Sequence, residues 1–74
     1  MLITVNDEKK ECSHGTSIAD LLENLGIDKR YVAVEKNHKI IPRTLFSEIQ
    51  LQDSDNLEIV TFVGGGWYGR FKIQ

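Results

Sequence analysis

The sequence predicts an α+β fold, a mixed four- to five-stranded sheet with one main helix across one face, and three observations carry that expectation. Period-2 alternation of apolar residues marks the opening residues and the stretches beginning near 31 and 57. Between the first two of these, "TSIADLLENLG" changes to a helical period. A chain of 74 residues has room for one small core.

Met1, Ile3 and Val5 alternate with Leu2 and Thr4, which predicts a strand with a buried face. Asn6-Asp7 reads as a hairpin turn, although Asp is a weaker choice than Gly where φ must be positive. Glu8 to Cys12 forms the return strand, its charges suited to an exposed edge and Cys12 turned inward. Ile18, Leu21, Leu22 and Leu25 then fall at i, i+3, i+4 and i+7, one apolar helix stripe. Thr16 or Ser17 caps its start, with Asp20 placed for a capping box on Ser17, and Gly26 suits its left-handed end.

Tyr31 to Glu35 returns to alternation with Val32 and Val34 on one face, and "NHK" at 37–39 turns the chain into Ile40-Ile41. Pro42 ends that strand. Arg43 to Phe46 predicts a short helical turn, Ile49 and Leu51 an extended piece, "QDSDN" a polar loop, and Leu57 to Val63 the last strand. In so short a chain a helix between two hairpin-like units must cross one face of a mixed sheet, which is the β-grasp, or ubiquitin-like, arrangement. Residues 1–63 make that domain and 64–74 a flexible glycine tail with a C-terminal extension.

Composition narrows the function. A net charge of −2 with dispersed Lys and Arg gives no footprint for nucleic acid, and no apolar run approaches a membrane span, so a protein partner is expected. Cys12 is the single cysteine and the first residues do not resemble a signal peptide, which places the chain in the cytoplasm. His14 and His38 have no metal-ligand spacing with it, so no metal site is expected. Glu11 and Ser13 offer Cys12 no thiolate stabilisation, and no paired carboxylates or nucleophile-base set stands out. The chain is read as a non-enzyme with no catalytic residue and no bound cofactor.

"FVGGGWYGRFKIQ" carries the remaining information. Gly64, Gly66 and Gly69 formally satisfy G-x-G-x-x-G after a strand, but five residues follow Gly69 and none is acidic, so the dinucleotide reading fails. Gly64, Gly65 and Gly66 form a flexible tail whose lack of side chains lets it thread a narrow channel, with a loose terminus as the bland alternative. Both faces of the last strand are apolar, so Val60, Phe62 and Val63 either complete the packing or form a partner-binding patch beside the tail.

Taken in order, "ITVND", "TSIADLLENL", "YVAVEKNHKIIPR", "DSDNLEIV" and "FVGGG" resemble the ThiS family, the sulfur carriers of thiamine biosynthesis. The resemblance covers residues 1–66. It implies that the carboxylate of Gly66 is adenylated with ATP and Mg by a ThiF-like partner, converted to a thiocarboxylate, and used by the thiazole synthase ThiG. Relatives serving molybdopterin, cysteine or homocysteine synthesis, or a non-transferring interaction module, share the fold and stay open. Two departures stand out: Asp7 replaces a common Gly, and Gly66 is locked in a peptide bond to Trp67. The leading explanation is a processing protease that cuts between Gly66 and Trp67. The others are an added or fused segment, "RFKIQ" being similar to the opening strand of the synthase family, and an extra strand built from Trp67, Tyr68, Phe71 and Ile73.

Overall fold

In a computed structural model, which describes residues 1–63 and 66–70, the elements run in the expected order. Strand β1 (Leu2–Val5) and β2 (Glu8–Glu11) form the first hairpin, helix α1 (Ile18–Asn24) follows, and β3 (Val32–Lys36) and β4 (Lys39–Ile41) form the second. Strand β5 (Asn56–Val63) and β6 (Gly66–Arg70) come last. The sheet order is β2-β1-β5-β3-β4, with β6 paired to β5 in addition. Since β1 and β5 run parallel while the other pairs are antiparallel, the sheet is mixed.

Local chemistry explains the boundaries. Ser17 accepts a hydrogen bond from the Asp20 amide at 3.0 Å while the Asp20 carboxylate accepts from the Ser17 amide at 3.1 Å, a complete capping box. At the other end Gly26 takes φ +72 with open space where a Cβ would stand, the left-handed position that stops a helix. The two hairpin turns are built alike: Asn6 and Asp7 have φ 49 and 69, Asn37 and His38 have 52 and 71. Positive φ at both central residues is the primed turn whose twist matches the strands. Asp7 therefore holds a conformation that glycine would adopt more cheaply.

The helix stripe lands on the sheet as its spacing requires. Ile18, Leu21 and Leu22 are buried against Ile3, Val5, Val32, Val34, Leu57 and Ile59, with Leu25 and Cys12 partly buried beside them. Phe46, 2% exposed, closes the core from the short 3-10 turn Arg43–Leu45 that precedes it. Its backbone carbonyl accepts from the Ala19 amide at 2.8 Å, which docks that turn on the start of α1. The extended piece expected at Ile49 and Leu51 is reduced to one bridge between Ser17 and Gln50, although Leu51 is buried. A second 3-10 turn, Lys29–Tyr31, was not expected; Asp28 caps it through the Arg30 amide.

The expected four- to five-stranded sheet corresponds to the five-strand path, and β6 adds a sixth member. Gly64, Gly65 and residues 71–74, which the sequence assigned to the tail and its extension, lie outside the described residues. Gly66 to Arg70, assigned there as well, form β6; of the extra strand expected from Trp67, Tyr68, Phe71 and Ile73, only Trp67 and Tyr68 lie among the described residues.

Candidate functional site

The end of β5 is where the sequence-predicted residues converge. Successive residues of β5 turn to opposite faces, so Leu57 and Ile59 are fully buried on the helix side while Glu58 and Val60 lie half-buried on the other. Val60 stands opposite Ala33 of β3, the partial-burial alternative raised from sequence. Phe62 and Val63 continue the same strand, and their side chains lie outside what is described. Ile40, on β4, is 73% exposed, the most open large apolar residue among those described.

One edge of β5 is fully paired with β3, from Lys36 opposite Leu57 to Val32 opposite Thr61. An anchor fixes the start of this pairing. Asn37, in the turn after β3, donates its backbone N–H to the Asn56 carbonyl at 2.8 Å, and its side-chain oxygen accepts from the Asn56 amide at 2.9 Å. Its side-chain amide donates to Asp55 at 3.0 Å, while Asp55, only 4% exposed, also accepts from the Gln52 amide at 2.8 Å. The Lys36 ammonium lies 3.6 Å from the same carboxylate. A buried carboxylate needs such partners, because desolvation without them is expensive.

The opposite edge is assembled from three pieces. Strand β1 pairs with β5 only at Asn56 and Leu57. The chain then turns away, and Asn6 takes over: its backbone N–H donates to the Leu57 carbonyl at 2.9 Å. The Asn6 side chain accepts from the Ile59 amide at 2.7 Å and donates to the Ile59 carbonyl at 3.1 Å. One carboxamide thus satisfies both backbone groups that a neighbouring strand would have paired. Beyond Ile59, β6 occupies the edge, with Arg70 opposite Val60, Trp67 opposite Phe62 and Gly66 opposite Val63. A bulge interrupts the register between Val60 and Phe62.

The proposed reactive residue, Gly66, is therefore the first residue of β6, and the Gly66-Trp67 bond lies inside that strand. Gly66 and Gly69 sit in a strand rather than at a helix start, so the geometry of a dinucleotide fingerprint is not formed there. Cys12 is half-buried against the core, its backbone carbonyl accepting from the chain's amino terminus at 2.8 Å. His14 and His38 are exposed in turns. Asp28 is held down at about 2, first by its side-chain hydrogen bond from Arg30, whose guanidinium also lies over the Tyr31 ring. Sequence reasoning did not find Asn6 or Asp55. Asn6 was visible as a turn residue, but its bonds to a residue 53 positions away have no local signature.

The sequence profile of the ThiS family matches residues 3–66. The chain is 41% identical over 66 residues to a thiazole synthase of Paramagnetospirillum magneticum, a match covering 89% of this chain and 20% of that protein. It thus spans about a fifth of the length of that relative. A sulfur carrier protein ThiS of Bacillus subtilis is 43% identical over 60 residues, covering 81% of this chain and 89% of that one. The crystal structure of a thiamine biosynthesis protein, ThiS, from Geobacter metallireducens superposes with a TM-score of 0.74 at 30% identity, covering 89% of this chain and all of that one (100%).

Proposed function

The chain belongs to the ThiS family, and from that premise we propose that it carries sulfur for formation of the thiamine thiazole on the carboxylate of Gly66, after residues 67–74 are removed. The observation that carries the reading is the coincidence of two limits. The family match stops at Gly66, the residue whose carboxylate the glycine run would present.

The chemistry follows from leaving groups. A free Gly66 carboxylate oxygen attacks the α-phosphorus of ATP, pyrophosphate departs, and the acyl adenylate is formed. Hydrosulfide, or a persulfide whose acyl disulfide product a second thiol then reduces, displaces AMP at the acyl carbon and leaves the thiocarboxylate. ATP and Mg belong to a ThiF-like adenylating partner, and a thiazole synthase, ThiG, receives the sulfur. The carrier supplies binding and a tether; Gly66 in an amide to Trp67 has no carboxylate to activate. It acts as a protein substrate in the cytoplasm, with Val60, Phe62 and Val63 beside the tail as the partner contact.

Mass spectrometry of the protein from its native cell tests this. A species ending at Gly66 with one oxygen replaced by sulfur is expected. Recovery of the intact 74-residue chain alone, inert toward ATP and the adenylating enzyme, would sink the proposal. The pairing of β6 with β5 favours a second reading, a ubiquitin-like interaction module in which the extension is a permanent strand.

A further inference from the structure

Strand β6 does more than lengthen the chain. Along β5 the backbone groups facing one edge alternate, so Thr61 and Val63 present theirs to the edge on which Asn6 satisfies Ile59. Beyond the reach of Asn6 that edge is filled by β6. The same register sets Arg70 opposite Val60 and Trp67 opposite Phe62. Gly66, opposite Val63, is paired rather than extended away from the domain.

We propose that β6 is a self-masking strand: by pairing with the end of β5 it withholds Gly66, and the edge beside it, from the adenylating partner until it unpairs. This rests on the carrier reading of Gly66 and adds a second barrier to the covalent one. Cutting the Gly66-Trp67 bond needs the strand opened as well, because a protease binds its substrate as an extended strand whose backbone groups must be free. The mask is built to open. It is a five-residue strand, interrupted by a bulge and containing Gly66 and Gly69, and short edge pairings with glycine are marginal. A closed form populated about 95% of the time would lower apparent affinity for a partner about twentyfold.

Three proteins test it: the intact chain, the intact chain carrying Tyr68→Pro, and residues 1–66. Tyr68 lies in the middle of β6, between the paired Trp67 and Arg70, where the fixed φ of proline and its missing N–H disfavour a strand. Among the described residues the buried core falls between Ile3 and Ile59, and the shortened chain retains all of it. Hydrogen exchange on the free proteins comes first. The Thr61 and Val63 amides should be protected in the intact chain and exchange at least about tenfold faster in Tyr68→Pro, as a tenfold change in opening predicts. Equal exchange in the two overturns the mask whatever the function.

Affinity for the adenylating enzyme is measured next. The Tyr68→Pro chain should bind as tightly as residues 1–66, about tenfold or more tighter than the intact chain. If residues 1–66 bind well but Tyr68→Pro binds no better than the intact chain, the mask fails and the carrier reading stands. If residues 1–66 do not bind at all, the carrier reading fails and takes the mask with it.

Discussion

The two edges of β5 are built in opposite ways. Toward β3 the pairing is continuous over five register positions, Val32–Lys36 against Leu57–Thr61, and it begins where Asn37 and Lys36 meet the buried Asp55. The other edge is a series: two positions of β1, the side chain of Asn6, and then β6. A continuous ladder anchored at its start opens by fraying from its far end, whereas a serial edge can release its last piece as a unit and leave the rest in place. Gly66, the residue proposed to carry sulfur, belongs to the serial edge.

Removing what both edges share should cost most. Ile59 is fully buried under the sheet, and Ile59→Ala should lose about 2–5 kcal/mol in urea unfolding. So large a loss would unfold a substantial fraction of a domain this small. Next comes the anchor of the continuous edge: Asp55→Ala leaves the Gln52 amide and the Asn37 carboxamide without their acceptor, at about 2–3 kcal/mol. A double-mutant cycle with Asn37→Ala should show strong coupling; additive losses would mean that the anchor is not one unit.

On the serial edge Asn6→Ala should cost less, about 1–2 kcal/mol, because Asn6 is only half-buried and water can replace part of the carboxamide. Faster exchange of the Ile59 amide would identify the lost bond, and an unchanged rate would deny Asn6 its bridging role. Deleting residues 67–74 should lower stability by about 1.4–1.8 kcal/mol, the free energy of a tenfold to twentyfold closure. A loss comparable to that of Asp55→Ala would make β6 a structural strand and erase the contrast between the edges.

The smallest effect lies before β3, in the exposed Asp28–Arg30 pair. Asp28 is held at about 2 against an ordinary value of 3.8, first by the hydrogen bond from Arg30. A depressed carboxylate stabilises the fold above the ordinary value, and that contribution is lost as pH falls from 3.8 through about 2. Solvent exposure keeps the effect on stability slight. A carboxyl NMR titration should show Asp28 returning toward 3.8 in Arg30→Ala, and an unmoved titration would assign the shift elsewhere.

Much of the fold was legible because its signals are local. The helix stripe of Ile18, Leu21 and Leu22, the Ser17–Asp20 box, the two Asn-led turns and the alternation through Val34 and Ile59 each lie within a few residues. The ThiS resemblance and the position of Gly66 were legible for the same reason. Phe46 was read only as part of a helical turn, since a lone aromatic in a short irregular stretch carries no period. Asp55 looked like loop polarity because nothing near it in sequence announces Asn37 and Lys36 as partners.

What the sequence determined by itself is the order of the helix and of strands β1 to β5, because propensity, periodicity and turn chemistry are properties of neighbours along the chain. Only the tertiary structure decided how β5 is held. Which backbone groups find partners across 53 residues depends on where the folded strands lie. That is why Asn6 emerges as a bridge, Asp55 as an anchor, and Gly66 as the first residue of a paired strand.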